Sequence, residues 1–115
     1  MKKEKYSIEF VLGNASQMSL WRMLTDSTSL EQWFAVKVKV TDRRFFTFTW
    51  EENFQETEQT INKPISHVRY NWLAEDRLGT YFEFKIHTLE LSSEIALEVI
   101  GFAEPDEQDD AIFLW

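Results

Sequence analysis

The 115-residue sequence contains no cysteine, which removes disulfide frameworks, zinc knuckles and a thiol nucleophile together. Glycine occurs three times and proline twice, too rarely for a collagen-like, low-complexity or loop-dominated chain. No stretch approaches the roughly 18 apolar residues of a membrane span. The basic start, Met1 to Lys5, runs into Tyr6 to Leu12, where Ser7 and Glu9 interrupt any apolar run, so a secretory signal is not expected. Asn14-Ala15-Ser16 matches the glycosylation sequon and, without such a signal, reads as chance. The sequence also lacks a glycine-rich phosphate loop, a nucleophile elbow and a dinucleotide fingerprint. These absences point to a cytoplasmic protein without a nucleophilic catalytic centre.

The chain does hold ample core material. Hydrophobic residues make up 43% and aromatic residues 16%, and a chain of this size buries about two-thirds of the surface its unfolded form exposes. One domain over residues 1–115 is expected, since two cores would leave each half marginal. The net charge is −8 and is unevenly placed. Residues 1–50 carry eight Lys/Arg against five Asp/Glu, whereas residues 51–115 carry four against fifteen. Such a field opposes phosphate backbones and anionic bilayers, so neither nucleic acid nor membrane insertion is expected, whereas a basic protein partner is compatible with it.

Periodicity organises the chain. Tyr6, Ile8, Phe10 and Leu12 alternate with polar residues, as in a strand with one buried face, and Gly13-Asn14 breaks it. Met18, Leu20 or Trp21, and Leu24 then recur at helical spacing, with Asn14 or Ser16 as N-cap. A second short helix is predicted from Ser29 to Phe34, with Thr28 as cap and Glu31 completing a capping box.

From Val36 onward the chain reads as strands. Val36, Val38 and Val40 alternate, Asp42-Arg43 forms a tight turn, and Phe46, Phe48 and Trp50 share one face. Phe54 to Ile61, rich in Thr and Gln, is predicted as an edge or solvent-lined strand, and Lys63-Pro64 is the next break. Val68, Tyr70 and Trp72 alternate with His67, Arg69 and Asn71. After a turn over 74–79, Phe82, Phe84 and Ile86 oppose Tyr81, Glu83, Lys85 and His87 in what is expected to be the longest strand. A turn at Ser92-Ser93 and a final strand from Glu94 to Ala103 complete an antiparallel meander. Beyond it, the acidic run 104–110 and the apolar Ala111 to Trp115 read as the start of a helix, with Pro105 in its first turn.

Leu20-Trp21-Arg22-Met23-Leu24-Thr25-Asp26, followed by Leu30-Glu31-Gln32-Trp33-Phe34-Ala35, resembles the (V/L)-W-x-x-(I/L)-T-(D/T)…L-x-x-W-F-A signature of the START-like family. That family includes homologues of the heat-shock ATPase activator. The whole chain is similar to short START-like proteins of Bacteroidetes bacteria, with Tyr81-Phe82-Glu83-Phe84 and Phe102-Ala103-Glu104 also matching. The resemblance implies an α+β helix-grip fold: a curved antiparallel sheet of six to seven strands, two short helices after the first strand and a C-terminal helix on the concave face. It does not by itself choose an activity, because one fold hosts many functions. Family members carry several turns in the last helix, whereas the ten residues after Pro105 give about 15 Å of helix. An incomplete helix would expose Ile112, Phe113 and Trp115 and favour a homodimer.

Trp33, Phe34, Phe46, Phe48, Trp50, Tyr70, Trp72, Phe82 and Phe84 are the candidate lining of a cavity for a hydrophobic small molecule. The competing reading is that the same rings fill the core, and that Trp21 and Trp33 serve packing. His67 and His87 have no second ligand at i+2 spacing, so no metal site is expected, and they read as surface residues. Glu56 and Glu58 share one strand face and read as solvated rather than as an acid–base pair. The expected function is therefore a non-enzymatic binding domain for a hydrophobic small molecule or lipid, with no cofactor. The alternative is a protein-interaction or chaperone-regulator module using the acidic surface, and the third reading is an enzyme of the same fold.

Overall fold

The computed structural model describes residues 3–51, 53–89, 92 and 94–103. Among these residues, seven strands form a single antiparallel sheet in the order β1-β7-β6-β5-β4-β3-β2. They are β1 (Glu4–Val11), β2 (Lys37–Thr41), β3 (Phe45–Thr49), β4 (Phe54–Lys63), β5 (His67–Trp72), β6 (Tyr81–Thr88) and β7 (Ile95–Ala103), with helices α1 (Gln17–Thr25) and α2 (Ser27–Trp33) between β1 and β2. Strands β2 to β7 are each paired with their neighbour in sequence, as expected of a meander, and β1 closes on β7 from Glu4↔Ala103 to Val11↔Ala96. The expected C-terminal helix, with Ile112, Phe113 and Trp115, lies outside the described residues.

Local chemistry explains the turns and helix starts. Gly13 takes φ 65° and redirects the chain from β1 towards α1, a conformation glycine adopts without a Cβ clash. Ser16 caps α1 by accepting from the Ser19 N–H. The cap of α2 is Asp26, whose carboxylate accepts from the Ser29 N–H, and not Thr28. Glu31 does not complete a capping box either, since its carboxylate accepts the Val38 N–H at the start of β2. The helix starts earlier than its hydrophobic spacing suggests because Asp26 both ends α1 and begins α2. Asp42 and Arg43 both have positive φ in the tight turn closed by the Arg44 N–H donating to the Thr41 carbonyl, which leaves three residues between the paired Thr41 and Phe45.

Strand β4 differs from expectation. It lies between β5 and β3 rather than at an edge, and at ten residues it, not β6, is the longest strand. Its polar side chains are accommodated because they bond across the sheet. Thr57, fully buried, donates to the Phe46 carbonyl at 2.9 Å, Gln59 donates to the Tyr70 hydroxyl at 3.3 Å, and Thr60 donates to Asn71 Oδ1 at 2.6 Å. A register shift between Gln59 and Ile61 adds a bulge, which bends a strand and increases its twist.

The core lies on the sheet face that meets the helices. Leu20, Leu24 and Leu30 from the helices join Val38, Phe46, Phe48, Val68, Tyr70, Phe82 and Phe84 from the strands. Tyr70 fixes the helix–sheet distance, because its hydroxyl donates to the Leu24 carbonyl at 2.7 Å near the C-terminal end of α1. Burial pushes the Tyr70 phenol above its ordinary pKa, against a smaller lowering by the Gln59 hydrogen bond, so it stays a neutral donor.

Candidate ligand-binding cleft

The inner face of the sheet has two unlike halves. Over β3 to β6 it is paved with rings. Tyr70 and Phe82 stack at 4.9 Å, Phe46 meets Tyr70 edge-on at 5.1 Å, and Phe34 meets Phe48 at 5.0 Å. Offset and edge-to-face contacts of this kind fill space well. Over β1, β7 and the near edge of β6 the side chains are smaller and mostly aliphatic, and α1 stands off from them. Between them lies a cleft of about 490 Å³.

Phe10 and Leu12 of the β1 side, Leu97 and Val99 of β7 and Phe84 of β6 form its floor. Ser19, Leu20, Met23 and Leu24 of α1, with Ala15 and Ser16 just before it, form one wall, and Trp33 stands at the end. Each wall is held in place. The Gln17 side-chain amide donates to Thr88 Oγ1 at 2.7 Å, pinning the start of α1 to the end of β6. The Trp33 indole N–H donates to the Met23 carbonyl at 2.7 Å, joining α2 to α1, and its ring meets Phe84 edge-on at 6.1 Å. Trp33 and Met23 remain 40% and 46% exposed, so the rim of the cleft is apolar as well as its floor.

The nine candidate lining residues therefore separate. Trp33 and Phe84 line the cleft. Phe46, Phe48, Tyr70 and Phe82 are buried in the core, and Phe34, Trp50 and Trp72 pack against it. Trp50 has a tethering role, its indole N–H donating to the Phe34 carbonyl at 2.8 Å, and Trp72 carries the Arg77 guanidinium over its ring at 4.7 Å. Trp21 packs on the core. The aliphatic residues of β1, β7 and α1 that complete the cleft were not singled out from the sequence; the usable signal was their alternation on two strands that pair.

The outer face holds a polar cluster that strand alternation alone left unpartnered. Glu83 is 1% exposed. It accepts from Arg69 Nε at 2.8 Å and makes a close contact with His67 Nε2, while the Arg69 guanidinium lies 3.9 Å from the centre of the Tyr81 ring. Burial pushes the Glu83 carboxyl up, but the hydrogen bonds and charges of Arg69 and His67 outweigh it and hold the carboxyl below its usual range. His67 is thus a packed partner rather than a surface residue. His87 pairs with Glu98 at 2.9 Å and is more open. Glu56 is exposed and Glu58 lies 3.5 Å from Arg44. Among the described residues no three His, Cys, Asp or Glu gather as metal ligands, and no helix is long and apolar enough to cross a membrane.

Comparison with known proteins agrees with this architecture. A family model described as START-like superfamily domain matches residues 1–115. A Bacteroides fragilis protein solved by solution NMR is 37% identical, with a TM-score of 0.75 over 100% of this chain and 85% of its own. The Aha1 dimer from Colwellia psychrerythraea is 17% identical, with a TM-score of 0.71 over 99% of this chain and 91% of that one. A conserved protein of unknown function from Enterococcus faecalis is also 17% identical, with a TM-score of 0.69 over 97% of this chain and 66% of that one. The last two likenesses concern the fold alone. No curated protein matches the sequence. With its helix-pair motif, its seven-stranded antiparallel sheet and a family match along its full length, this chain belongs to the START-like superfamily.

Proposed function

We propose that the protein is a non-enzymatic binding domain that takes a hydrophobic small molecule or lipid into the cleft between α1 and the β1–β7–β6 side of the sheet. The observation that carries this reading is a space of about 490 Å³ with almost wholly apolar walls. That volume falls within the roughly 300–1,000 Å³ typical of small-molecule sites. Apolar burial supplies the affinity, and Trp33 at the rim and Phe84 in the floor provide ring surface. The Met23 thioether at the rim adapts to ligand shape without a fixed polar demand.

The test combines native mass spectrometry of gently purified protein with titration of the apolar fluorophore N-phenyl-1-naphthylamine. Saturable uptake that is lost in Leu97→Trp, where the new ring occupies the cleft, is the expected result. Absence of any uptake by the wild-type chain overturns the reading. Weight would then move to a protein-interaction or chaperone-regulator module using the acidic surface, whose binding to a basic partner weakens steeply with added salt.

A further inference from the structure

The cleft has a charge preference written into its walls. None of the described residues that line it carries a charge. Apart from Trp33, whose indole N–H is given to the Met23 carbonyl, the polar side chains among the described lining residues are Ser16 and Ser19, together at the end where α1 begins. Ser16 Oγ already accepts the Ser19 N–H at 3.2 Å, and the Leu20 N–H is taken by the Ser16 carbonyl at 3.0 Å. What remains for a ligand is hydroxyl chemistry, which can donate or accept a neutral hydrogen bond but cannot supply a countercharge.

Two opposing effects decide how an anion would fare there. The start of α1 presents the positive end of a helix dipole, equivalent to about half an elementary charge and screened beyond the first turn. Against it stands the cost of moving a full anionic charge out of water into an apolar space without a paired cation, which is far larger. The chain's net charge of −8 adds a long-range field of the same sign as such a ligand. Desolvation and field together outweigh the dipole.

Resting on the ligand-binding reading above, we infer that the cleft selects uncharged apolar ligands, bearing at most one neutral hydrogen-bonding group for Ser16 and Ser19, and rejects anionic amphiphiles such as fatty-acid carboxylates. The apolar body of the ligand lies along Leu97, Val99 and Phe84, and its single polar atom faces the start of α1. An ester, alcohol, ketone or uncharged aromatic such as a diarylamine meets these conditions.

The experiment uses two probes with one ring framework, N-phenyl-1-naphthylamine and its sulfonate, 8-anilino-1-naphthalenesulfonate, titrated into the full chain at neutral pH. The neutral probe is expected to bind at least about ten-fold more tightly, because only the sulfonate carries an unpaired charge into the cleft. Ser19→Lys should lower that ratio by about ten-fold by adding the missing cation. Met23→Lys, one turn further along α1 at the exposed rim, provides a second position if Ser19→Lys fails to fold. Equal or tighter sulfonate binding that is lost in Leu97→Trp would overturn the charge preference and leave the cleft itself intact. An unchanged ratio in both folded lysine variants would overturn it too. If neither probe binds the wild-type chain, the cleft reading falls and this inference with it.

Discussion

The two halves of the inner sheet face are built from the same alternation of buried and exposed residues, yet one is closed and the other open. Over β3, β5 and β6 the inward positions carry aromatic rings or buried branched side chains, with the buried Thr57 of β4 among them, and neighbouring rings lie 4.9 to 5.8 Å apart. Over β1 and β7 the corresponding positions are Ile8, Phe10, Leu97 and Val99, with Gly101 at the far end. Between these side chains and α1 the cleft remains, while the helix is tied to the sheet by the Gln17–Thr88 bond at one end and the Tyr70–Leu24 bond at the other. Ring-rich strands are where this sheet spends its volume on packing, and aliphatic strands are where it leaves room. The ring packing thus lies on one side and the candidate site on the other.

The sharpest way to break that contrast is to truncate one residue from each half. Phe48→Ala, at a fully buried position, should cost about 3–5 kcal/mol in urea unfolding, as large core truncations do. Leu97→Ala, half-buried in the cleft floor, should cost about 1–2 kcal/mol, below the range for fully buried leucines, and should instead change probe affinity. Equal costs at the two positions would mean that the halves are energetically alike.

A second test concerns the outer face behind the packed half. Glu83→Gln removes the carboxylate charge but keeps the shape, and should destabilise by about 1.5–3 kcal/mol at neutral pH, the usual worth of hydrogen bonds to a charged group. The sign with pH follows from the direction of its shift. The folded-state carboxyl lies below its reference value of 4.5, so its stabilising contribution is complete above that value. It is lost as the pH falls through the lower, folded-state value. Wild-type urea midpoints should therefore drop more steeply on acidification below pH 4.5 than those of Glu83→Gln; parallel curves would refute the assignment.

The smallest effect is expected at the boundary between the halves. Tyr70→Phe keeps the ring stack with Phe82 but removes the hydroxyl that reaches the Leu24 carbonyl. A loss of about 1–2 kcal/mol is expected for this hydrogen bond and the weaker one the hydroxyl accepts from Gln59, together with a measurable change in probe affinity as α1 loses this tether. A stability loss with unaltered affinity would show that the cleft does not depend on this contact.

Much of this architecture was legible in the sequence, because period-2 alternation from Val36 to Ala103 and the Trp21–Trp33 segment each report a local geometry. Turns at Asp42-Arg43 and Lys63-Pro64 were legible for the same reason, although Ile65 follows Pro64 with φ 63°, a strained place for a β-branched residue. The position of β4 was not, since composition marks Thr and Gln as surface-like and their cross-strand partners depend on register. Glu83 was hidden in the same way. Alternation put Arg69, His67 and Glu83 on one face, but only the offset between β5 and β6 decides that they meet. The cleft was the least legible feature. Aromatic density marks where large side chains are, whereas an opening depends on where a helix is held away from smaller ones.

Gly101 carries a last consequence. A Cβ built there would sit 2.6 Å from the Tyr6 hydroxyl oxygen, so the tyrosine ring of β1 occupies the place where its β7 partner would have had a side chain. The two positions behave as one residue split across two strands. A substitution at either rewrites the requirement at the other, and their effects on stability should be strongly non-additive. For anyone redesigning the sheet edge, position 6 and position 101 are a single variable.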